Sequence, residues 1–211
     1  SGPLPDAPVA FHEHGMHLAA DLIQGQKTGF FLDQRENRRR IRALSGGARV
    51  LNVFGYTGGF SVAAGLGGAR HTTTLDLAAP AIKMAGENWA RNDLPADGHV
   101  GIDADAFDYL ASAAQRKENW DVIILDPPSF APNEDSLAAA EKAYQRLIAL
   151  GARVTAPGGV LAPASCSSHL RREQFLTIIE AALSEARRRG RTFGIPGHPA
   201  DHPAPLVLPE L

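Results

Sequence analysis

The chain has 211 residues, of which 44% are hydrophobic and 21% are charged, and its formal net charge is −2 at pH 7. These values are typical of one α/β domain with room for a small appendage, and so weak a charge does not by itself indicate a polyanionic partner. No apolar run approaches the ~18 residues that a transmembrane helix needs, so we expect no membrane association. The single cysteine excludes an internal disulfide and favours a reducing, cytoplasmic compartment; since no histidines are paired around it, we expect no metal site.

The first third of the chain predicts a small extension ahead of the main domain. Polar and apolar residues alternate over 9–22 around His14-Gly15, which indicates a β-hairpin. Another extended piece is predicted at 28–32. We therefore assign residues 1–33 to an N-terminal extension.

A basic helix should open the main domain, which we assign to residues 34–211. Asp33 and Glu36 have the spacing of a capping box, so the helix should run from Gln34 to about Leu44. Its arginines lie around most of the circumference, which favours an exposed helix. Arginine runs of this kind are more often solvated faces than phosphate contacts.

From residue 49 onward, apolar strands alternate with helical stretches. We predict strands at 49–54, 71–75, 98–102, 120–125, 158–164 and 191–195, and helices at 59–67, 79–92, 105–116, 136–155 and 171–189. Strict alternation with short connections indicates right-handed crossovers and a mostly parallel sheet with helices on both faces. The predicted fold class is therefore α/β, doubly wound and Rossmann-like, with a small N-terminal hairpin.

A glycine-rich turn follows the first of these strands. Gly55, Gly58 and Gly59 lie between the strand at 49–54 and the helix at 59–67. Glycine lets a backbone approach a ligand closely, and a helix start offers unpaired N–H groups. This arrangement is typical of a fold that holds a nucleotide-like cofactor.

Two carboxylates follow the next two strands. Asp76 ends the second strand, 18 residues after Gly58, where a carboxylate can accept hydrogen bonds from both ribose hydroxyls. Asp105 follows the third strand, where it could accept from an adenine amino group, with Phe107 nearer the core. Either aspartate is equally consistent with a helix N-cap, so both interpretations stay open.

The fourth strand ends in an acidic corner with two prolines, Asp126-Pro127-Pro128-Ser129-Phe130. The prolines exclude both helix and ladder bonding, so the backbone forms a rigid turn at the carboxyl edge, where open α/β sheets bind ligands. A carboxylate there suits a planar base, because it accepts from the base's amino group. An NAD-dependent oxidoreductase has no need of such a corner.

Four stretches together resemble a known family. They read GQKTGFFLDQR at 25–35, NVFGYTGG at 52–59, DPPSF at 126–130 and ASCS at 164–167. The chain resembles bacterial class I S-adenosylmethionine-dependent methyltransferases that act on large-subunit ribosomal RNA, specifically the branch that forms 5-methylcytosine. The resemblance implies S-adenosyl-L-methionine as cofactor and RNA as partner.

The resemblance also implies roles for individual residues. The turn at 52–59 would hold the methionine part of the cofactor, Asp76 the ribose and Asp105 the adenine. The implied cofactor-binding set is Lys27, Thr28, Arg35, Asn52, Phe54, Gly55, Tyr56, Thr57, Gly58, Gly59, Asp76, Asp105, Ala106, Asp126 and Pro127. Two family features are missing: no RNA-binding module precedes Val9, and no final antiparallel strand follows residues 201–205. We therefore expect a truncated protein or a strand supplied by a partner.

Cys166 and Asp126 are the predicted catalytic pair. Cytosine C5 is a poor nucleophile, and a thiolate that adds to C6 makes C5 electron-rich. Cys166 is the only cysteine and follows the fifth predicted strand at the same edge as Asp126. Asp126 would hold the cytosine amino group and N3. The alternative is an inert cysteine packed in the core.

Several alternatives stay open at this point. Related enzymes methylate a purine, at guanine N7 or an exocyclic amine, without a cysteine nucleophile, and a non-catalytic RNA-binding relic of the fold would also keep these motifs. The arginines of 35–42 and 171–172 could contact phosphates. Tyr56, Phe130 and His169 receive no role, and neither the modified nucleotide nor the oligomeric state, a dimer included, is determined.

Overall fold

The computed structural model of the chain describes residues 8–23, 25, 29–131, 133–167 and 169–197. Strands and helices alternate through most of this part. In chain order the elements are β1 Val9–Glu13, β2 Met16–Ala20, α1 Arg35–Leu44, β3 Arg49–Val53, α2 Gly59–Leu66, β4 His71–Asp76, α3 Ala79–Ala90, β5 His99–Asp103, α4 Ala106–Gln115, β6 Trp120–Leu125, α5 Leu137–Val154, β7 Thr155–Pro163 and α6 Arg172–Glu185.

Strands β3 to β7 form one parallel sheet in the order β5-β4-β3-β6-β7. Strand β3 is central, since Asn52 aligns with Thr74 of β4 on one side and with Ile124 of β6 on the other. The strand order reverses at β3, which makes its carboxyl end the topological switch point where such sheets bind ligands. The predicted doubly wound fold class is confirmed.

Both faces of the sheet are covered, which explains why its central strands β3 and β6 are largely apolar and buried. Successive side chains point to opposite faces, so alternate residues of one strand enter different cores. Leu51 and Val53 pack with the residues of α4, α5 and α6, whereas Val50 packs with Ile41 of α1 and Phe60 of α2.

The predicted hairpin is present as the antiparallel pair β1–β2, and two asparagines of the α3 region hold it against the domain. Asn88 accepts a hydrogen bond from the backbone N–H of Ala19 at 2.8 Å, and Asn92 accepts one from His17 at 2.8 Å. None of the helices in the described part of the chain combines the length and apolarity needed to cross a membrane.

The start of α1 differs from the prediction. A 3₁₀ turn over Leu32–Gln34 precedes α1, and Gln34 caps the helix without a side-chain hydrogen bond. The expected capping box is wrong because Asp33 lies inside that turn. The expected extended piece at 28–32 is not a strand over its described residues, since 29–30 form a bend and Leu32 begins the turn.

The expectation of an exposed α1 holds for Arg39 and Arg40 but not for Arg38. Arg38 is only 2% exposed because it pairs with the carboxylate of Glu13 in β1 through two hydrogen bonds of 2.6 Å. A third hydrogen bond joins it to the carbonyl of Phe31, and its guanidinium lies 4.5 Å from the centre of the Phe30 ring. Buried charges of this kind require a partner, which periodicity alone does not reveal.

The sixth predicted strand, at 191–195, does not form. Residues 191–197 are irregular, and Phe193 is 73% exposed. A strand needs a neighbour that satisfies its backbone N–H and C=O groups, and local β-propensity does not supply one.

Candidate active site

The carboxyl ends of the five parallel strands are joined to one another by backbone hydrogen bonds. The N–H of Gly55 donates to Leu75, that of Ala104 to Asp76, that of Ala164 to Leu125 and that of Asp126 to Val53, at 2.8–3.5 Å. The loops therefore form one continuous row. We call the loops after β3, β4 and β5 the glycine-turn region (residues 54–58, 76–78 and 104–107), and the loops after β6 and β7 the cysteine region (126–131 and 164–167).

The turn after β3 has a tightly bent backbone. Phe54 and Tyr56 have φ angles of 58° and 46°, and Gly58 has φ 79°, so three of five consecutive residues are left-handed. Such a conformation is unfavourable for a side-chain-bearing residue, by about 1–3 kcal/mol each, and it clusters at functional sites. The carboxylate of Asp76 accepts from the Tyr56 N–H at 2.9 Å, which offsets part of this strain.

Packing within the protein also requires glycine in this turn. A Cβ atom at Gly58 would lie 2.8 Å from the Cβ of Ala85, and one at Gly59 would lie 2.9 Å from the ring of Phe30. A side chain at either position would therefore push α2 away from its neighbours. Packing therefore requires these two glycines in addition to the close approach of a ligand that the sequence predicted.

The two carboxylates of the glycine-turn region accept hydrogen bonds from backbone N–H groups. Asp76 accepts from Ala78 at 3.0 Å as well as from Tyr56. Asp105 caps α4 through one oxygen, Oδ1, which accepts from Phe107 at 2.9 Å and Asp108 at 3.0 Å. The helix-cap interpretation of Asp105 is therefore realised, and these bonds leave its second oxygen for another donor.

Two polar atoms beneath the turn have no hydrogen-bond partner among the described residues. They are Oδ1 of Asn52 and Oγ1 of Thr57, both buried. The Asn52 amide donates to Ser61 at 3.0 Å, so its side chain is held in place with the carbonyl oxygen left over. Buried polar atoms normally find a partner, so this turn has capacity for a polar ligand.

Asp126 is held by residues that precede it by about 90 positions. Nε2 of Gln34 donates to both of its carboxylate oxygens at 3.1 Å, and Asn37 donates to Oε1 of Gln34 at 2.7 Å, which orients the amide. Burial, with a smaller contribution from nearby Asp33, raises the pKa of Asp126 to about 6, while Arg38 and the Gln34 hydrogen bond act in the opposite direction. Asp126 can therefore exchange a proton near neutral pH.

Cys166 lies beside the double-proline corner. Its side chain is exposed, and its thiol donates to the carbonyl of Pro127 with an Sγ–O distance of 3.9 Å. The alternative of a buried cysteine packed in the core is wrong. The flanking Ser165 and Ser167 both bond to the hydroxyl of Tyr144, at 3.0 and 2.9 Å.

Phe130 belongs to an aromatic cluster. Its ring centre lies 4.8 Å from Tyr144, 6.3 Å from Phe107 and 6.5 Å from Phe54. Because Phe54 and Phe107 belong to the glycine-turn region, the cluster connects the two regions. A packing role for Phe130 accounts for these contacts.

The fold brings most of the predicted residues to this one edge. Lys27 and Thr28 lie outside the described residues, whereas Arg35 is half-buried at the start of α1, next to Gln34. Sequence reasoning missed Gln34, Tyr144 and the exposed Leu77. Gln34 had a signal, since it lies inside the distinctive 25–35 stretch, but a tyrosine on the apolar face of α5 gave none. No group of three His, Cys, Asp or Glu side chains in the described ranges is arranged to hold a metal ion.

Comparison with known proteins agrees with this geometry. Residues 4–186 match the model of a family described as S-adenosylmethionine-dependent methyltransferase. The chain belongs to this family. It is an α/β protein of the methyltransferase type, and the cofactor of the family is S-adenosyl-L-methionine.

The similar proteins are considerably longer than this chain. It is 43% identical to the ribosomal RNA large subunit methyltransferase of Deinococcus radiodurans, over 99% of this chain and 51% of that protein. It is 37% identical to ribosomal RNA large subunit methyltransferase I of Aeromonas salmonicida, over 99% and 53% of the two chains. The crystal structure of the methyltransferase SMU.776 complexed with SAH superposes with a TM-score of 0.89 at 30% identity, over 100% of this chain and 55% of that one. The chain therefore spans about half the length of these relatives.

The residues of the glycine-turn region fit the family's cofactor. A sulfonium-linked amino acid and an adenosine need polar partners at one end and carboxylate acceptors at the other. The unpartnered atoms of Thr57 and of Asn52, just before this region, could supply the first, and the oxygens of Asp76 and Asp105 could supply the second. Leu77, which is 71% exposed beside Asp76, adds an apolar surface of the kind that a flat ring covers.

Proposed function

We propose that this protein methylates C5 of a cytosine in ribosomal RNA through a covalent adduct with Cys166. The observation that carries the proposal is the contact between the Cys166 thiol and the Pro127 carbonyl. It means that the only thiol of the chain and the acidic corner line the same part of the sheet edge. A nucleophile and a base-binding carboxylate side by side are what this chemistry requires.

In this proposal the glycine-turn region holds S-adenosyl-L-methionine. The turn from Asn52 to Gly59 binds the methionine part, Asp76 the ribose, and Asp105 with the N–H of Ala106 the adenine. Lys27, Thr28, Arg35 and Pro127 complete the predicted cofactor set. When bound, the cofactor supplies the methyl group as an electrophilic sulfonium.

Asp126 would recognise the base. In its neutral form it donates to N3 of cytosine and accepts from the exocyclic amino group, whereas in its ionised form it only accepts. A pKa of about 6 gives access to the neutral form near physiological pH.

Cys166 would be the nucleophile that attacks the base. Its thiolate adds to C6, forming a C–S bond, and the electron pair of the C5–C6 double bond makes C5 nucleophilic while a proton at N3 neutralises the ring. After C5 is methylated, a general base removes the C5 proton. The C5–C6 double bond re-forms, the C–S bond breaks, the thiolate is regenerated, and the proton on N3 returns to Asp126.

The substrate class in this proposal is single-stranded or remodelled RNA, because a stacked base cannot reach such a site. The names of the similar proteins and the exposed arginines Arg39, Arg40, Arg171 and Arg172 support an RNA substrate. Action on ribosomal RNA favours a cytoplasmic location. We also propose that residues 1–33 form an extension to a methyltransferase domain at 34–211.

The decisive experiment uses RNA that contains 5-fluorocytosine, because fluorine at C5 blocks the final proton removal and traps the adduct. We expect the chain, with S-adenosyl-L-methionine present, to form a denaturation-resistant complex with this RNA. Replacing Cys166 with Ala should abolish the complex, whereas Cys166→Ala protein should still bind S-adenosyl-L-methionine in isothermal titration.

The same variant separates the alternatives. A purine N-methyltransferase would give no adduct, and its turnover would survive the Cys166→Ala substitution. A non-catalytic relic of the fold would fail to bind the cofactor. Either result would exclude the cytosine mechanism.

A further inference from the structure

The side chain of Tyr144 connects both sides of the candidate nucleophile. Tyr144 belongs to α5 and is 1% exposed, yet its hydroxyl bonds to the serine on each side of Cys166. The distances are 3.0 Å to Ser165 and 2.9 Å to Ser167. The N–H of Ser167 also donates to Ser165 at 3.2 Å, so Tyr144 and the two serines form a small closed network.

The network continues to the acidic corner. Oγ of Ser167 lies 3.0 Å from Oγ of Ser129, and the N–H of Ala131 donates to it at 3.4 Å. Ser129 and Ala131 follow the two prolines after Asp126. Ser167, which is bonded to the Tyr144 hydroxyl, therefore joins the loop that carries the thiol to the loop that carries the base-binding carboxylate.

Packing alone does not explain why this residue is a tyrosine. Its ring lies 4.8 Å from Phe130 and 5.6 Å from Phe175, centre to centre, and a phenylalanine would make the same contacts. A buried hydroxyl is unfavourable unless it is hydrogen-bonded, and this one has two partners. Both partners flank Cys166, whose own side chain is exposed.

We propose that Tyr144 is a positioning residue that holds Cys166 at the distance and angle from which its sulfur reaches a base bound at Asp126. The inference rests on the proposed function, in which Cys166 is the nucleophile. We expect the network to act on the position of the thiolate. A displacement of about 1 Å in a reacting group can slow a reaction roughly 10²-fold.

The test is the Tyr144→Phe variant, which removes one oxygen atom and keeps the ring. We expect the rate of adduct formation with a single-stranded RNA containing 5-fluorocytosine to fall about 10- to 100-fold, with little change in the affinity for that RNA. Alkylation of the single thiol by iodoacetamide should stay within roughly threefold, because thiol reactivity follows the thiolate fraction. Ser167→Ala should reproduce the loss, and the double variant should lose less than the two single losses combined.

Tyr109→Phe is the matched control. Tyr109 lies on α4, and its ring centre is 6.3 Å from that of Trp120, the first residue of β6. This is the end of the strand away from the candidate site, so loss of the Tyr109 hydroxyl should leave the adduct rate unchanged. If Tyr144→Phe fails to fold, the Ser167→Ala rates decide the question alone.

The outcomes separate this inference from the function on which it rests. A wild-type chain that forms no adduct would overturn the proposed function and the role of Tyr144 with it. A wild-type adduct with an unchanged rate in Tyr144→Phe would overturn only the positioning role. An iodoacetamide rate that falls as far as the adduct rate would also overturn it, since the hydroxyl would then act on the reactivity of the thiol itself.

Discussion

The glycine-turn region and the cysteine region are held together in different ways. In the first, Asp76 and Asp105 accept hydrogen bonds from backbone N–H groups, and three of the four donors lie within three residues of the acceptor. In the second, Asp126 is bound by Gln34 from 92 residues away, and Ser167 by side chains 23 and 38 residues away.

This difference reflects what each region has to do in the proposed function. A cofactor common to a family can be held by loops whose shape is set locally, by turns, caps and strand ends. A nucleophile and a base-binding acid must be set against each other, and they come from different strands. Side chains from α5 and from the turn before α1 supply that alignment.

Among the variants that test this comparison, Asp126→Asn should have the largest effect. Asparagine is close in shape, but it cannot donate a proton to N3, so we expect the methylation rate to fall about 10²–10⁴-fold. S-adenosyl-L-methionine affinity, measured by isothermal titration, should fall less than about tenfold, since in this proposal most cofactor contacts lie in the other region. If the methylation rate and the cofactor affinity fell equally, Asp126 would contribute to both functions, and the division into two regions would be wrong.

Arg38→Met removes a buried ion pair that lies next to both regions. Arg38 pairs with Glu13 at 2.6 Å, packs beside Gly59 and lowers the pKa of Asp126. Removing it leaves Glu13 buried without its partner, so we expect the free energy of unfolding in urea to fall by about 3–5 kcal/mol. The double variant Glu13→Leu/Arg38→Met should recover much of this loss. A double variant as unstable as the single one would show that packing, and not the ion pair, is responsible.

Asp76→Ala addresses the glycine-turn region. It removes the proposed ribose acceptor and the acceptor for the Tyr56 N–H, so S-adenosyl-L-methionine affinity should fall about 10- to 100-fold. Asp121→Ala is the matched control, because Asp121 accepts from the Arg49 N–H at 2.8 Å at the far edge of the sheet. Cofactor affinity should be unaffected by the control, and a similar loss in both variants would indicate general destabilisation.

The same division decides how much the sequence could predict. The predicted strand and helix bounds in the main domain lie within three residues of the observed ones for β3 to β6, because buried strands and amphipathic helices have local patterns. The edge position of Cys166 beside the acidic corner also followed from strand order alone. The burial of Arg38 and the bonds of Gln34 and Tyr144 could not be predicted, since each depends on a partner from a distant segment. The strand expected at 191–195 failed for the same reason, because local propensity does not supply a neighbouring strand.

Gln34→Met should have the smallest effect. It tests whether a side chain from a distant segment controls the charge state of the cysteine region. The amide of Gln34 stabilises the ionised carboxylate, so its loss should raise the pKa of Asp126 further above about 6. The folded-state pKa already lies above the ordinary value, so the associated stability is fully present below about pH 4 and is lost as the pH rises through 6. In the variant the loss should begin at the same pH but be larger and continue to higher pH. Carbon-detected NMR titration of the Asp126 carboxyl measures the shift, and Gln145→Met, which removes a similar 3.1 Å bond to Glu185 on the surface, should leave it unchanged. An unchanged titration in Gln34→Met would mean that burial and the neighbouring charges set this pKa without the amide, and that Gln34 contributes no electrostatic control to the cysteine region.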